Sequence, residues 1–561
     1  MTKDKFLRGA LILTIAGLMV KIIGSVNRIL LSRLLGGEGI GLYQIAYPIY
    51  LLMISVSAAG IPIAISILVS KRIAKNDYLG AGRVFRISLG LMVLTGLVFA
   101  LALYFIAGWL ISINVIRDSR AYYALIALTP AVFFATILAS FRGYFQGYQM
   151  MTPPAVSQII EQFVRVVVML ILAYWLLPYG LEYAAAGAAF GAVPGSITGI
   201  VVLTYFYRKE HRKLWKNRIC QVHTQKESVG SIAKSLIKLA LPVSCASLML
   251  PVVTGIDMLI VPGRLEAAGF TVVQATTAFG YLAGMALPLV MMGTIPTTSL
   301  AASVVPAISE AQVLGNKAII RAKGCTAIRL CCMITLPAAV GMWVLAQPIS
   351  LLLYGTKAAG PSIANLSPSI FFLGMHQVST GILQGVGMTV TPMLNMFISA
   401  VVKVILVWKL TAMPSLNIVG AAWASNINFA VAAGLNIFFL ACYTSFYFPV
   451  LSLVKITAAA GAMGIVTQIG YQFMLKIISS TIICAILAIL LAVITYTVGL
   501  LMLGEFSETE LLKIPFVGKK LVELLKSMKV LRRKACGYDQ DNCDYYFYSC
   551  TATFSTLMQY V

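Results

Sequence analysis

LRGALILTIAGLMVKIIGSVNRILLSRLL, residues 7–35, is long enough to cross a bilayer as one helix, yet it carries Lys21 near its middle. At about 100° per residue, five of its residues share one stripe of that helix: Gly17, Lys21, Gly24, Arg28 and Ser32. Turning a charged stripe toward lipid costs several kcal/mol, so we expect this stripe to face protein or a water-filled cavity. Snorkelling to the membrane surface is the alternative, and it suits Arg28, near the outer end, better than Lys21.

The rest of the chain repeats this apolar character. Of its 561 residues, 60% are hydrophobic and only 11% are charged, which is typical of a polytopic all-α membrane protein. The net charge of +24 does not indicate a nucleic-acid partner, because the basic residues lie in alternate loops. Fourteen apolar segments are predicted to cross the membrane: 7–35, 44–70, 84–113, 121–142, 154–178, 183–207, 235–262, 272–305, 326–353, 361–388, 392–412, 418–442, 449–474 and 477–503.

Basic residues set the orientation. With a cytoplasmic N-terminus, the inside segments hold thirty of the forty-two Lys and Arg residues, the outside loops hold five, and seven fall within spans. This bias predicts that both termini are cytoplasmic.

A sequence repeat divides the chain into two parts. Gly143-Tyr-Phe-Gln-Gly147 matches Gly381-Ile-Leu-Gln-Gly385 at an offset of 238, across a basic cytoplasmic linker at 208–234. Six spans on either side predict two pseudo-symmetric six-helix bundles, related by an axis along the membrane normal, with a cleft between them. The predicted parts are the bundles 1–207 and 235–443, the linker, two further helices in 444–504, a basic segment 505–534 and an atypical tail 535–561.

Charges within the spans are few. Glu161 and Arg165, four residues apart on one helix, are predicted to pair, and Asp257 and Lys403 are predicted to approach each other. These four are structural or coupling charges, with Asp257 alternatively binding a coupling proton or sodium ion. Lys21 and Arg28 are then left without an acid in the membrane, so their partner is water, backbone carbonyls or an anionic ligand, and the anionic ligand is the functional hypothesis. No cofactor or metal is predicted, because the three histidines and ten cysteines form no ligand cluster.

Several motifs resemble the polysaccharide-export branch of the multidrug/oligosaccharidyl-lipid/polysaccharide exporter superfamily. The longest are GSVNRILLSRLLGGEGIGLYQIAYP (24–48) and RGYFQGYQMMTPPAVSQIIEQFVR (142–165), and VVPAISEA (304–311) is a shorter one. The resemblance implies a multi-pass protein of the cytoplasmic membrane of a spore-forming bacterium, involved in spore-cortex peptidoglycan. The lipid II flippases of this superfamily carry arginines in the first span; Lys21 stands at the place of one and Asn27 at that of another, whereas an arginine of their eighth span has no match near Gly284.

The resulting expectation is a flippase rather than an enzyme. It would translocate an undecaprenyl-pyrophosphate-linked saccharide by alternating access, with Lys21, Gly24, Asn27 and Arg28 at the anion site. Its partners would be this lipid-linked saccharide, membrane lipids and proteins of cell-wall synthesis. Two alternatives stay open: a multidrug–cation antiporter on the same scaffold, and a non-transporting partner of the cell-wall machinery. A polysaccharide-synthesising enzyme would need a catalytic cluster in a sizeable outside loop, and the predicted outside loops are short.

Overall fold

The computed structural model describes residues 3–58, 60–216, 228–444, 446 and 448–505. Every regular element in these ranges is a helix, which confirms the all-α fold. The middle of the predicted linker, all of the basic segment 505–534 except its first residue and the tail 535–561 lie outside the described residues.

Seven α-helices form the first half of the chain, with a short 3₁₀ turn at Leu177–Tyr179. They are α1 (Lys3–Ala58), α2 (Ile61–Ala74), α3 (Tyr78–Ser112), α4 (Ala121–Gly147), α5 (Thr152–Leu176), α6 (Leu181–Phe190) and α7 (Ala192–Lys216).

The second half contains ten α-helices, and a π-helical segment, Gly280–Ala286, joins the second and third of them. They are α8 (Val229–Ala267), α9 (Val272–Phe279), α10 (Leu287–Gly293), α11 (Ile295–Val313), α12 (Lys317–Val344), α13 (Ala346–Tyr354), α14 (Gly360–Leu366), α15 (Pro368–Val386), α16 (Val390–Leu410) and α17 (Asn417–Thr444). Two helices follow, α18 (Val450–Ile477) and α19 (Thr481–Met502).

The boundaries of several predicted segments are wrong. No loop separates the first two spans, because α1 continues past residue 35 and only bends at Gly36, whose φ of 67° and ψ of −170° suit glycine alone. The second span, 44–70, is instead broken between α1 and α2. Span 272–305 consists of four helical segments, because its prolines and glycines interrupt the backbone without lowering its hydropathy. The linker 208–234 is shorter than predicted, since α7 extends to Lys216 and α8 begins at Val229.

Eleven helices among the described residues are long and apolar enough to cross a membrane. One of them, Ile15–Ala74, has 60 residues, which is far too long for one pass through about 30 Å of hydrocarbon. The predicted count of fourteen spans stays a prediction.

The apolar core has the shape of a Y. One large cluster joins both halves at the end where α3 finishes and α4 begins, which is the predicted outer end. At the opposite end the core separates into two clusters. One belongs to the first half together with the start of α8, and the other belongs to the second half with α18 and α19. The halves therefore enclose a cleft that opens toward the predicted inner side.

The glycines of the sequence repeat make the same contact in both halves. A methyl group added at Gly143 or Gly147 would lie 2.6–2.7 Å from α2, and one added at Gly381 or Gly385 would lie 2.8–2.9 Å from α11. The nearest residues are Pro62 and Val69 in the first half and Ala301 and Ile308 in the second. Each residue of the second set lies 239 residues after its counterpart in the first, one more than the offset of the glycines. This matched packing supports the predicted pseudo-symmetry, and superposition of the bundles stays a prediction.

Candidate functional site

A cavity of about 460 Å³, here called the central cavity, lies between the two halves. Its first-half wall comes from α1 and α5, and its second-half wall comes from α8 to α11, the π-helical segment and α15. All four residues of the predicted anion site line it: Lys21, Gly24, Asn27 and Arg28. Gly17 and Ser32 of the predicted stripe are absent from the wall, because the stripe is longer than the cavity.

Lys21 and Arg28 are the cations that face this cavity without an acid. Lys21 is exposed and Arg28 is half-buried, and neither has a carboxylate partner among the residues that the structure describes. The Arg28 guanidinium instead lies 5.5 Å from the centroid of the Tyr47 ring. A cation–π contact leaves the charge uncompensated, so both side chains remain free to bind an anion.

Gly24 and Asn27 shape the wall between the two cations. A methyl group added at Gly24 would lie 3.4 Å from Nε2 of Gln162, so this glycine keeps the wall open where α1 faces α5. Asn27 is buried, and its Nδ2 donates a hydrogen bond to Sδ of Met169 at 3.3 Å. Asn27 is thus anchored to α5 and supplies no charge to the cavity.

The predicted pair Glu161–Arg165 is part of a larger cluster. Glu161 Oε1 accepts from Arg165 Nη2 at 2.6 Å, and Glu161 Oε2 accepts from Arg142 Nη2 at 2.5 Å. The cluster therefore keeps one positive charge, and Arg165 lines the central cavity. Sequence reasoning missed Arg142, because it lies at the end of α4 and no spacing rule relates it to Glu161.

The predicted approach of Asp257 and Lys403 is present in the structure. Lys403 Nζ donates to Asp257 Oδ2 at 2.6 Å, joining α16 to α8. The lysine side chain is only 5% exposed and that of the aspartate 19%, so the pair is largely desolvated. Asp257 is the only acid on the described wall of the central cavity, and this pairing neutralises it.

The charges at the cavity do not cancel. Lys21 and Arg28 contribute two positive charges, the arginine–glutamate cluster contributes one, and the Asp257–Lys403 pair contributes none. A pyrophosphate diester carries a negative charge on each of its phosphoryl groups and matches such a surface. Cations in a partly desolvated site bind phosphate oxygens through short, charge-assisted hydrogen bonds.

Glycines close the cavity toward the predicted outer side. A methyl group added at Gly280 would lie 2.0 Å from the carbonyl oxygen of Gly37, and one at Gly41 would lie 2.2 Å from that of Thr276. The backbones of α1 and of the α9–π segment therefore touch directly. A methyl group added at Gly284 would lie 2.8 Å from the Ile40 side chain, so a larger residue at this position would displace Ile40.

A polar network fastens this closed side. Arg120 donates to Glu38 at 2.5 Å and to Asp118 at 3.0 and 2.8 Å, while Thr276 of the second half donates to Asp118 at 2.9 Å. The hydrogen bond to Asp118, followed by that to Glu38, raises the pKa of Arg120 above its ordinary value. The Thr276–Asp118 hydrogen bond ties the two halves together across the closed end.

Known proteins share this sequence and architecture. The family described as polysaccharide biosynthesis protein matches residues 6–312. Stage V sporulation protein B of Bacillus subtilis (strain 168) is 30% identical over 425 residues, which cover 76% of this chain and 81% of that protein. Lipid II flippase MurJ of the same organism is 26% identical over 418 residues, covering 72% of this chain and 77% of that protein.

Solved structures agree on the fold. Lipid II flippase MurJ in an inward closed conformation superposes with a TM-score of 0.65 at 16% identity, covering 87% of this chain and 98% of that one. A multidrug resistance MATE family transporter in an inward-facing conformation gives a TM-score of 0.61 at 17% identity, covering 76% and 94%. The chain therefore belongs to the polysaccharide biosynthesis protein family.

Proposed function

We propose that this protein is a flippase that translocates an undecaprenyl-pyrophosphate-linked saccharide of the lipid II type by alternating access. The observation that carries the proposal is the pair of uncompensated cations, Lys21 and Arg28, on the wall of the central cavity. The curated relatives include a lipid II flippase, which agrees with the expectation that the chain is not an enzyme.

The cations have different roles in this proposal. Lys21, near the open inner side, is a compact charge on a flexible stem and meets the pyrophosphate first. Arg28, deeper toward the closed side, makes bidentate contacts with the phosphate oxygens as the load moves outward. Gly24 leaves space between them for the anion, and Asn27 anchors the wall to α5.

The lipid tail needs an apolar path beside the cavity. The last two helices, α18 and α19, pack on each other and on α12 and α13, and they expose apolar side chains such as Phe473 and Ile494. We assign the polyprenyl chain to this surface, where it stays in the hydrocarbon while the head group crosses. We place the protein in spore-cortex synthesis at the cytoplasmic membrane; the similarity to a protein named stage V sporulation protein B supports a role in sporulation.

The multidrug–cation antiporter is disfavoured by the cavity charges. A cationic drug needs an available acid, and the only acid on the described wall, Asp257, is paired with Lys403 at 2.6 Å. A coupling ion at Asp257 would have to compete with that lysine.

Lipid II translocation in liposomes tests the proposal. Wild-type protein should move fluorescent lipid II between leaflets, whereas Lys21→Ala should reduce the rate by about tenfold or more, since a charge-assisted contact contributes roughly 1.5–3 kcal/mol. Lys476→Ala, which removes an exposed lysine far from the cavity, is the matched control and should translocate normally. Absence of translocation by folded wild-type protein would leave a non-transporting partner of the cell-wall machinery as the function.

A further inference from the structure

Three tyrosines form a ladder on α1 beyond its bend. The rings of Tyr43 and Tyr47 stack with centroids 5.4 Å apart and planes at 23°, and Tyr50 follows at 5.8 Å from Tyr47. Tyr43 and Tyr47 both line the central cavity, and Tyr50 does not. Tyr43 and Tyr50 are buried, whereas Tyr47 is half-buried, so Tyr47 is the most accessible ring of the ladder and Tyr43 supports it.

Arg28 lies over this ring. The contact between its guanidinium and the Tyr47 centroid, at 5.5 Å, is a loose one, beyond direct stacking distance. A phosphate oxygen attracts a guanidinium more strongly than a tyrosine ring does, because the interaction is between full charges. An entering pyrophosphate should draw Arg28 away and leave the Tyr47 face open beside the phosphate.

The surroundings of that face select what can occupy it. Gln44, three residues before Tyr47 on α1, also lines the cavity, and its Nε2 donates to the Ala283 carbonyl oxygen at 2.6 Å, which leaves its Oε1 as an acceptor. Gln162 lines the cavity from α5 and Gln377 from α15. A pyranose ring presents apolar C–H groups on its face and hydroxyl groups at its edge, so it fits an aromatic face bordered by amides. Gln44 and Gln377 each use one amide atom in a hydrogen bond within the protein, and an isoprenoid chain could not pair with their remaining polar atoms, which disfavours it here.

We propose that Tyr47, supported by Tyr43, stacks against the sugar attached directly to the phosphate, once Arg28 has moved from the ring to the phosphate. The Arg28–Tyr47 contact is then a resting arrangement that the glycosylated anion replaces with two contacts of its own. This inference rests on the proposed function and adds a sugar subsite to it.

Binding of two lipids to the purified full chain in nanodiscs tests the sugar subsite separately from the anion site. The probes are undecaprenyl pyrophosphate and undecaprenyl pyrophosphate bearing one N-acetylhexosamine. Tyr47→Leu, which keeps an apolar side chain without a ring, should weaken binding of the glycosylated probe by about 3- to 10-fold relative to the bare probe, the size of one aromatic contact. Tyr47→Phe retains the ring and should bind both probes like the wild type.

The other outcomes are equally decisive. An equal loss for both probes in Tyr47→Leu would show that Tyr47 only positions Arg28, and no loss for either would also overturn the sugar subsite. Lys21→Ala is the separate test of the anion site, because it should weaken both probes alike. If Lys21→Ala binds both probes normally, the proposed function fails, whatever Tyr47→Leu does. Thermal unfolding of each variant checks that it is folded.

Discussion

The two halves of the molecule pair the cations at matching repeat positions in different ways. Arg165 on α5 and Lys403 on α16 each lie eleven residues after a proline near the start of the helix, Pro154 and Pro392. Arg165 shares one glutamate of its own helix with a second arginine, whereas Lys403 has an aspartate on another helix to itself.

The two halves therefore share helix packing but differ in charge. The repeat preserves the glycine contacts that pack α4 on α2 and α15 on α11, so the packing of these two helix pairs is duplicated. The first half keeps surplus positive charge, to which Lys21 and Arg28 add, while the second half is neutral at the cavity. Under the proposed function, the first half would bind the anion and the second half would supply a neutral opposing wall.

Removing the acid of the Asp257–Lys403 pair, here called the neutral pair, should have the largest effect on stability. Asp257→Asn leaves Lys403, whose side chain is 5% exposed, without its counter-charge. Breaking one side of such a pair costs about 3–5 kcal/mol. We expect a loss of this size in the free energy of unfolding, measured by titration with a denaturing detergent. Wild-type stability in this variant would mean that water already screens Lys403.

Removing the acid of the charged cluster should cost somewhat less. Glu161→Gln leaves Arg142 and Arg165 facing each other, but their side chains are 21% and 19% exposed and retain some water. We expect a loss of about 3 kcal/mol, at the lower end for a broken buried pair. Glu310→Gln, at an exposed carboxylate, is the control and should not change the same unfolding measurement. If Glu161→Gln were as stable as Glu310→Gln, the cluster would have no structural role.

Filling the glycine contact of the closed side should shift the conformation. A methyl group at Gly41 meets the Thr276 carbonyl oxygen, so Gly41→Ala should push α1 and α9 apart at a cost of about 1–3 kcal/mol. A cysteine placed at Met291 in the cavity should then react faster with a membrane-impermeant thiol reagent added outside. Gly17→Ala, where an added methyl meets nothing within 4 Å, is the matched control. Equal labelling of both variants would contradict a seal at this contact.

The smallest effect is expected when both members of the neutral pair are replaced. Asp257→Asn combined with Lys403→Met removes the lone charge that the single substitution leaves behind. Apolar or neutral replacement of a whole buried pair is often close to neutral, so the double variant should regain most of the lost stability. An additive loss, greater than that of Asp257→Asn alone, would show that the two residues act independently.

Much of the fold could be predicted from hydropathy and charge. The predicted span 392–412 is α16 (Val390–Leu410) within two residues, and 418–442 is close to α17 (Asn417–Thr444). Hydropathy could not reveal the bend at Gly36 or the division of span 272–305. A backbone break between apolar residues changes hydrogen bonding without changing polarity, so it leaves no mark on the apolar pattern.

The site was predictable where residues lie on one helix. The spacing of Lys21, Gly24 and Arg28 placed them on one stripe, and that stripe lines the central cavity. Arg142 and Tyr47 were missed as partners of Glu161 and Arg28, because those contacts depend on how separate helical segments pack. Asp257 and Lys403 were predicted to pair although they lie far apart in the sequence, because a charge in low dielectric requires a partner.

Affinity for undecaprenyl pyrophosphate tests most directly the claim that the first half holds the anion. It should be measured for Lys21→Gln and for the double variant Asp257→Asn with Lys403→Met, both in nanodiscs. We predict a loss of about tenfold or more for Lys21→Gln, from one charge-assisted contact, and a change of less than about twofold for the double variant. Unchanged binding by Lys21→Gln together with a large loss in the double variant would place the anion on the second half and contradict the account.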